Sequence, residues 1–288
     1  MPELAEVESV RKHLEQLLKG KKIKQVMVDE TDHILYSFAP AQDVRKALEG
    51  SRITGSGRKG KYFWFKLNKK PWPMIHLGMT GSVTVMLPKN KKVPVLYSHS
   101  LKVESLAKQK KPDRLWFCRF LLKMEDGTQV ALIDPRRFGR IWLSENPEAH
   151  ARVQKLGYDP LLDFPPAKKL YELITRRRIA IKTILLNQAL FAGVGNYLAD
   201  EILFNARISP HKLGHDFSLK DVTKLRKFIL SIVKKAVALD ANYEKFPKTW
   251  LFHHRWGKSK KAQVSTGHAI THDEIGGRTT AWVPDLQK

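Results

Sequence analysis

Pro2, Glu3 and Glu6 are the residues of this 288-residue chain whose types and spacing first suggest chemistry. The proline directly follows the initiator methionine, and methionine is commonly trimmed ahead of so small a ring. Trimming would leave a secondary amine. An α-amino group has a pKa of about 8, well below that of a lysine, so a useful fraction is unprotonated at neutral pH and can attack an aldehyde-like carbon. A secondary amine then gives a permanently cationic iminium ion, an electron sink that acidifies the neighbouring carbon and favours elimination. Glu3 and Glu6 stand three apart at a helix start, so both carboxyl groups lie near the amine, where either can protonate a leaving or ring oxygen. Proline and acids in a first helical turn also suit ordinary capping and the helix dipole, and the local pattern leaves both readings open.

Three further stretches have chemical potential. In Gly193-Val194-Gly195-Asn196, glycines run into a helix start, where backbone amides and the Asn196 side chain can hold a phosphate oxygen. In Asp134-Pro135-Arg136-Arg137-Phe138-Gly139, a turn after a strand presents two arginines and one aromatic ring, a set that can wedge into a duplex and fill a gap in the base stack. In Gly276-Gly277-Arg278-Thr279-Thr280, a hairpin tip offers one arginine and two hydroxyls for phosphate clamping. Each also has a plain structural reading: a capped helix, a packed phenylalanine, an exposed turn.

The elements that must position these residues follow from periodicity. Between Glu3 and Leu18, apolar residues recur at three- and four-residue steps (Leu4, Val7, Val10, Leu14, Leu17, Leu18), which predicts a helix with one buried face ended by Gly20. Short β-branched and aromatic segments come next: Ile23–Val28, Tyr62–Leu67, Met74–Leu77, Ser82–Leu87, Trp116–Met124, Gln129–Ile133 and Arg140–Leu143. Turn signals such as Glu125-Asp126-Gly127 join them, so antiparallel sheets are expected. Asn90 to Arg114 reads as a long, partly mobile insertion between two strands. After about residue 150 the pattern turns helical, in Leu170–Thr175, Ile181–Asn187, Asn196–Asn205 and Ser218–Leu239. The last opens on a capping-box-like Ser218-Leu219-Lys220-Asp221. Beyond Asn242, short glycine-punctuated pieces predict a terminal hairpin. The expected division is 1–150, 151–242 and 243–288.

Composition narrows the partner. With 52 Lys+Arg against 28 Asp+Glu, the formal charge is +24 at pH 7, and 42% hydrophobic residues suffice for a real core. Such an excess must face nucleic acid, an anionic membrane or an acidic protein. Its mixing with aromatics, as in Arg58-Lys59-Gly60-Lys61-Tyr62-Phe63-Trp64 and His253-His254-Arg255-Trp256-Gly257-Lys258, favours a folded polyanion-binding face over a merely soluble basic surface. One cysteine, Cys118, excludes intramolecular disulfides and multi-cysteine metal sites. Every apolar run is broken by charge before the roughly 20 residues of a bilayer span, and no leader is apparent, so a soluble protein is expected.

Taken together, the motifs resemble the formamidopyrimidine-DNA glycosylase and endonuclease VIII family over almost the whole chain. They are Pro2-Glu3-Leu4-Ala5-Glu6-Val7-Glu8, Gly60-Lys61-Tyr62, His76-Leu77-Gly78-Met79-Thr80-Gly81, Asp134–Gly139, Gly193–Asn196 running into Tyr197-Leu198-Ala199-Asp200-Glu201, and Gly277-Arg278-Thr279-Thr280. Met79 with Arg136 and Phe138 resembles the formamidopyrimidine branch more than endonuclease VIII. The resemblance implies an α+β protein. Its parts would be an N-terminal helix plus antiparallel β-sandwich, a helix–two-turn–helix domain, and a C-terminal β-hairpin finger, with DNA crossing a basic cleft. It implies Pro2 as nucleophile at the sugar carbon bearing a damaged base, Glu3 protonating the ring oxygen, and Glu6 placing water and the helix start. Lys61 would serve a flanking phosphate or the sugar chemistry. Asn196, Arg278 and, more weakly, Lys182 would grip backbone around a flipped nucleotide, while Met79, Arg136 and Phe138 fill the space it leaves. His76 beside them reads as a packed strand histidine.

Two departures matter. Ala5 stands where the motif usually has a second proline, which leaves Pro2, Glu3 and Glu6 in place. No cysteine follows Cys118, whereas bacterial relatives usually carry four zinc-binding cysteines near the end. This end therefore resembles the zincless finger of plant and fungal relatives, with Trp282 and Val283 as packing residues. His268 and His272 have ligand-like spacing but lack thiolate partners. The stretch Asp240–Trp256 is short beside the segment that covers 8-oxoguanine in bacterial relatives, which points away from efficient 8-oxoguanine removal.

The expected activity is removal of oxidised purines such as formamidopyrimidines, with strand cleavage by β,δ-elimination. No metal or organic cofactor is expected. The partner would be double-stranded DNA with oxidised bases or abasic sites, met by a monomer wherever DNA is: the nucleus of a eukaryote, the cytoplasm or nucleoid of a bacterium. A non-catalytic binder of damaged nucleic acid and an endonuclease VIII-like preference for oxidised pyrimidines are the alternatives.

Overall fold

The three- and four-residue apolar steps at the start of the chain form helix α1, Leu4–Leu18, whose residues Val7, Val10, Leu14 and Leu18 are buried in the core. The structure, a computed structural model, describes residues 2–88, 100–105, 117–256 and 262–288. It divides into two compact units, Met1–Gln154 with Asp240–Asn242, and Lys155–Leu239 with Tyr243–Lys288.

In the first unit α1 is followed by β1 (Ile23–Val28), α2 (Ala41–Leu48), β2 (Ile53–Lys59), β3 (Tyr62–Leu67), β4 (Trp72–His76), β5 (Ser82–Leu87), β6 (Leu101–Ser105), β7 (Cys118–Met124), β8 (Gln129–Ile133), β9 (Arg140–Ser144) and α3 (Ala151–Gln154). The strands form a five-stranded sheet, β1-β7-β8-β5-β6, and a four-stranded sheet, β2-β3-β4-β9. One core cluster takes side chains from both, including Val83, Val85, Leu122 and Val130 from the first and Phe63, Phe65, Ile75 and Ile141 from the second. The outer face of the smaller sheet is covered by a second cluster of Trp64, Met74, Trp142 and Val153.

The structure departs from the sequence reading in three places. Not every pair is antiparallel: β6 runs parallel to β5, with Val83 opposite Leu101 and Leu87 opposite Ser105. That strand comes from the stretch expected to be a mobile insertion; residues 90–99 and 106–114 of the insertion, and Trp116, lie outside the described residues. β2 and α2 were not anticipated. Ile53–Lys59 carries two glycines and no alternation, but Gly57 is required because a Cβ there would come 2.4 Å from the Trp64 indole nitrogen.

In the second unit, four helices, α4 (Ala167–Thr175), α5 (Ile181–Leu186), α6 (Asn196–Ala206) and α7 (Leu219–Ala238), precede strands β10 (Thr271–Ile275) and β11 (Arg278–Trp282). The capping box of α7 is present with aspartate in the third position: Asp221 N–H donates to Ser218 Oγ (3.2 Å), and Ser218 N–H to Asp221 Oδ2 (3.1 Å). β10 and β11 form the hairpin, turning at Gly276 and Gly277, both at positive φ (60° and 69°). Phe204 of α6 packs with Leu251, Val264, Ile270, Ala281 and Val283, so helix and hairpin share one core.

Candidate active site and nucleic-acid interface

Pro2 is buried and immediately precedes Glu3, the N-cap of α1. Glu3 and Glu6 are almost fully enclosed, at 2% and 0% exposure. Glu3 N–H donates to Glu6 Oε2 over 2.8 Å, the returning arm of a capping box, so one orphan amide of the helix start is satisfied by the second acid. Met1, whose removal would free the proline amine, lies outside the described residues.

Lys61 occupies the turn between β2 and β3, next to Gly60 at φ 57°, and is only 8% exposed. The sequence counts Arg58 in a basic stretch suited to a polyanion-binding face, yet its guanidinium is buried and ties the turn to α1. Its Nε donates to Glu8 Oε2 (2.8 Å) and its Nη1 to the Gly60 carbonyl (3.0 Å). Arg11 grips the same Glu8 with two bonds. Burial works to raise the Glu8 carboxyl, but these two guanidinium groups hold it below its usual range.

His76 ends β4 opposite Tyr62, with ring centroids 4.9 Å apart. Burial, reinforced by the charges of Lys61, Arg140 and Arg152, brings its pKa down to about 4. Gly78 N–H donates to His76 Nδ1 (3.0 Å), which assigns the neutral ring its proton on Nε2. The packed strand histidine thus also fixes the turn that leads to Met79.

Met79 is half-buried between β4 and β5, and Phe138, 41% exposed, lies between β8 and β9. The Arg136 guanidinium sits 4.8 Å from the Phe138 ring centroid. The adjacent Arg137 does not join them. It adopts φ 57° and forks onto Asp32, at 2.9 and 3.3 Å, so of the two arginines in the motif one is held by the protein and one is presented with the ring.

In the second unit, Asn196 opens α6 behind Gly193 (φ 91°) and the N-cap Gly195. Gln188, unnoticed in the sequence, secures this loop by accepting from Gly193 N–H (3.0 Å) and donating to the Val194 carbonyl (2.7 Å). Asn196 Nδ2 donates to the Thr279 carbonyl (2.9 Å), which places Asn196 beside the hairpin residue that follows exposed Arg278. Lys182 requires a correction, because it is not presented to a ligand. Its side chain is fully buried, ion-paired with Asp200 and donating to the Asn196 carbonyl (3.2 Å), so its part is to support Asn196. Asp200 also binds Arg255 and accepts from Ala281 N–H (3.2 Å), joining α5, α6 and the hairpin.

The hairpin has its own fastening. Asp273 Oδ2 accepts from Trp282 Nε1 (2.7 Å) and lies 2.7 Å from His211 Nε2. Val283 is fully buried. His268 and His272 make separate contacts, with the Thr266 hydroxyl (2.9 Å) and the Arg255 carbonyl (3.0 Å). Among the described residues no three metal-binding side chains converge. The segment before the hairpin is ordered by Tyr197, Tyr243, Phe246, Trp250 and Phe252, whose rings pack at centroid distances from 4.6 to 6.4 Å. Burial pushes Glu201 beneath it up to about 8, against the pull of the Phe252 and Leu251 amides, Asn205 and Arg255.

Known proteins are similar to this chain along its whole length. Residues 1–141 match the profile of the formamidopyrimidine-DNA glycosylase N-terminal domain, and residues 156–247 that of the formamidopyrimidine-DNA glycosylase H2TH domain. A formamidopyrimidine-DNA glycosylase of Arabidopsis thaliana is 35% identical over 289 residues, covering all of this chain and 71% of that one. One of Geobacter metallireducens is 30% identical over 292 residues, covering both chains in full. Among solved structures, the Lactococcus lactis formamidopyrimidine-DNA glycosylase bound non-covalently to DNA with an abasic site superposes with a TM-score of 0.80 at 25% identity, over 99% of each chain. MutM in complex with DNA containing carbocyclic 8-oxoguanine gives 0.79 at 26% identity, over 100% of each. With full-length similarity of this kind and both domain profiles matched in order, the chain belongs to the formamidopyrimidine-DNA glycosylase family.

Proposed function

We propose that this protein is a bifunctional DNA glycosylase and abasic-site lyase of base excision repair, acting on duplex DNA that carries oxidised purines such as formamidopyrimidines or abasic sites. The observation that carries the reading is the start of α1, where Pro2 directly precedes two buried acids that close a reciprocal capping box, each side chain accepting from the other's backbone N–H. The names of the relatives and the DNA held by the solved neighbours support it.

In this reading the Pro2 nitrogen attacks C1′, and the bond from C1′ to the base breaks. Glu3 gives a proton to the ring oxygen as the C1′–O4′ bond opens, leaving an iminium ion on Pro2. Loss of a C2′ proton then expels the 3′-phosphate, loss of a C4′ proton expels the 5′-phosphate, and water releases the sugar fragment. Glu6 holds the amide of Glu3 and with it the placing of water and helix start, and Lys61 serves a flanking phosphate. Asn196 and Arg278, neighbours through Thr279, take backbone phosphates, with Lys182 supporting Asn196. Met79, Arg136 and Phe138 occupy the space of the extruded nucleotide, offsetting the few kcal/mol of unstacking. The protein would act as a monomer, with 8-oxoguanine a poor substrate.

Borohydride tests this directly. Reduction during incubation with abasic DNA should yield a covalent protein–DNA adduct with the trimmed protein and none with protein whose amino terminus is acetylated. Absence of an adduct with the wild type would leave only a binder. Release of formamidopyrimidine against thymine glycol from matched duplexes decides between purine and pyrimidine lesions.

A further inference from the structure

The two loops that carry Met79 and Arg136/Phe138 each cross from one sheet of the first unit to the other, and they cross side by side. One connects β4 to β5 and the other β8 to β9. At one end they are bracketed by the pair His76 opposite Arg140, at the other by Ser82 opposite Ile133. Between these fixed ends the loops are joined again. Thr80 Oγ1 donates to Asp134 Oδ1 (2.7 Å), while Asp134 Oδ2 accepts from Gly139 N–H (2.7 Å) and Asp134 Oδ1 from Arg136 N–H (3.3 Å). Asp134 is 4% exposed, so these bonds form away from water. The loops also touch through backbone: a Cβ on Gly78, at φ 65°, would lie 2.4 Å from the Phe138 carbonyl carbon.

We infer that Thr80 and Asp134 form a latch that makes Met79, Arg136 and Phe138 enter the duplex as one rigid wedge. Both are positioning residues, since neither is placed against the reacting atoms. The inference rests on the proposed function and extends it from which side chains fill the gap to what holds them at a common height. A side chain inserted into a base stack is useful only if its support does not yield. Met79 and Phe138 come from connections 54 residues apart between Thr80 and Asp134, so their mutual placing depends on a bond across the loops.

The test exploits a substrate that needs no wedge. In single-stranded abasic DNA there is no opposing strand and no gap to fill. Thr80→Val keeps the shape of the side chain and removes the donor. Single-turnover cleavage of an abasic duplex should slow about tenfold or more, the scale of one lost hydrogen bond to a buried polar acceptor. Cleavage and borohydride trapping of the same strand without its complement should stay within about twofold of wild type. Thr80→Ser should restore the duplex rate. Undiminished cleavage of the duplex by Thr80→Val, or an equal loss on both substrates, would overturn the latch. A wild type that traps neither substrate would instead sink the proposed function itself.

Discussion

Glu3 N–H donates to Glu6 Oε2 at 2.8 Å, so the second acid of the N-terminal motif terminates the helix on which the first is carried. The Glu3 side chain in turn accepts from Glu6 N–H, so the two acids close a reciprocal capping box and the proposed proton donor is itself held at the helix start. Glu6→Ala should therefore cost about 1 kcal/mol of stability, the usual worth of a cap, and lower both base release and strand cleavage. Glu3→Gln should lose base release far more than cleavage of a pre-formed abasic site, whose sugar already opens to an aldehyde without help. Denaturant melts and single-turnover assays on lesion and abasic duplexes check both.

Arg58 joins α1 to the Lys61 turn through Glu8 and the Gly60 carbonyl. Arg58→Met fills similar space but leaves that carbonyl without this donor and Glu8 with one cation fewer. A loss of about 3 kcal/mol is expected, in the range for breaking a buried pair. Trapping on abasic DNA should fall with it, because Lys61 loses its anchor. Arg58→Lys should rescue little, since a single ammonium nitrogen does not reproduce the two separately placed donors of the planar guanidinium. Urea unfolding and trapping yields measure the two effects.

His76 should remain neutral throughout the physiological range. Its folded pKa of about 4 lies below the roughly 6.5 of an unfolded histidine, so between these values the unfolded chain binds the extra proton. The histidine therefore contributes stability above pH 6.5 that is lost as pH falls toward 4. Thermal melts across this window should slope less steeply in His76→Gln. The His76 ring resonance in NMR should not titrate between pH 5.5 and 8.

Gly276 combines φ 60° with a neighbour that a side chain would strike: a Cβ would come 2.7 Å from Thr183 Oγ1 of α5. Gly276→Ala should cost at least about 1 kcal/mol from the backbone alone and lift the hairpin tip carrying Arg278 away from α5. Affinity for abasic duplex should drop. Gly277→Ala, with nothing within 4 Å of its Cβ, should show only the backbone cost. Fluorescence-anisotropy titrations and melting curves of the two variants separate contact from conformation.

Asp273 fastens the hairpin through Trp282 and His211. Asp273→Asn should weaken both bonds and cost about 1 kcal/mol. Amide exchange over β10 and β11 should accelerate while that in α7 stays as in wild type, the pattern of a local opening.

Residues that interact within a few positions were legible in the sequence. The period of α1, the Ser218/Asp221 capping box and the glycine turn at 276–277 are local arrangements, and local spacing fixes them wherever the segment is placed. The family motifs likewise placed Pro2, Glu3, Glu6, Asn196 and Arg278 on the elements where they are found. What the linear order does not encode is the choice of distant partners. Thr80 with Asp134, Asp200 with Arg255, and Arg137 with Asp32 are each separated by more than fifty residues, and their pairing exists only once sheets have closed and registers are set. The same holds for the parallel β6, chosen by a free edge of β5, and for Lys182, whose basic side chain reads as a ligand until the fold surrounds it with Asp200. Sequence determined the chemistry on offer; tertiary closure decided which charges are presented and which are consumed in holding the rest, because burial makes an unpaired charge too costly to leave alone.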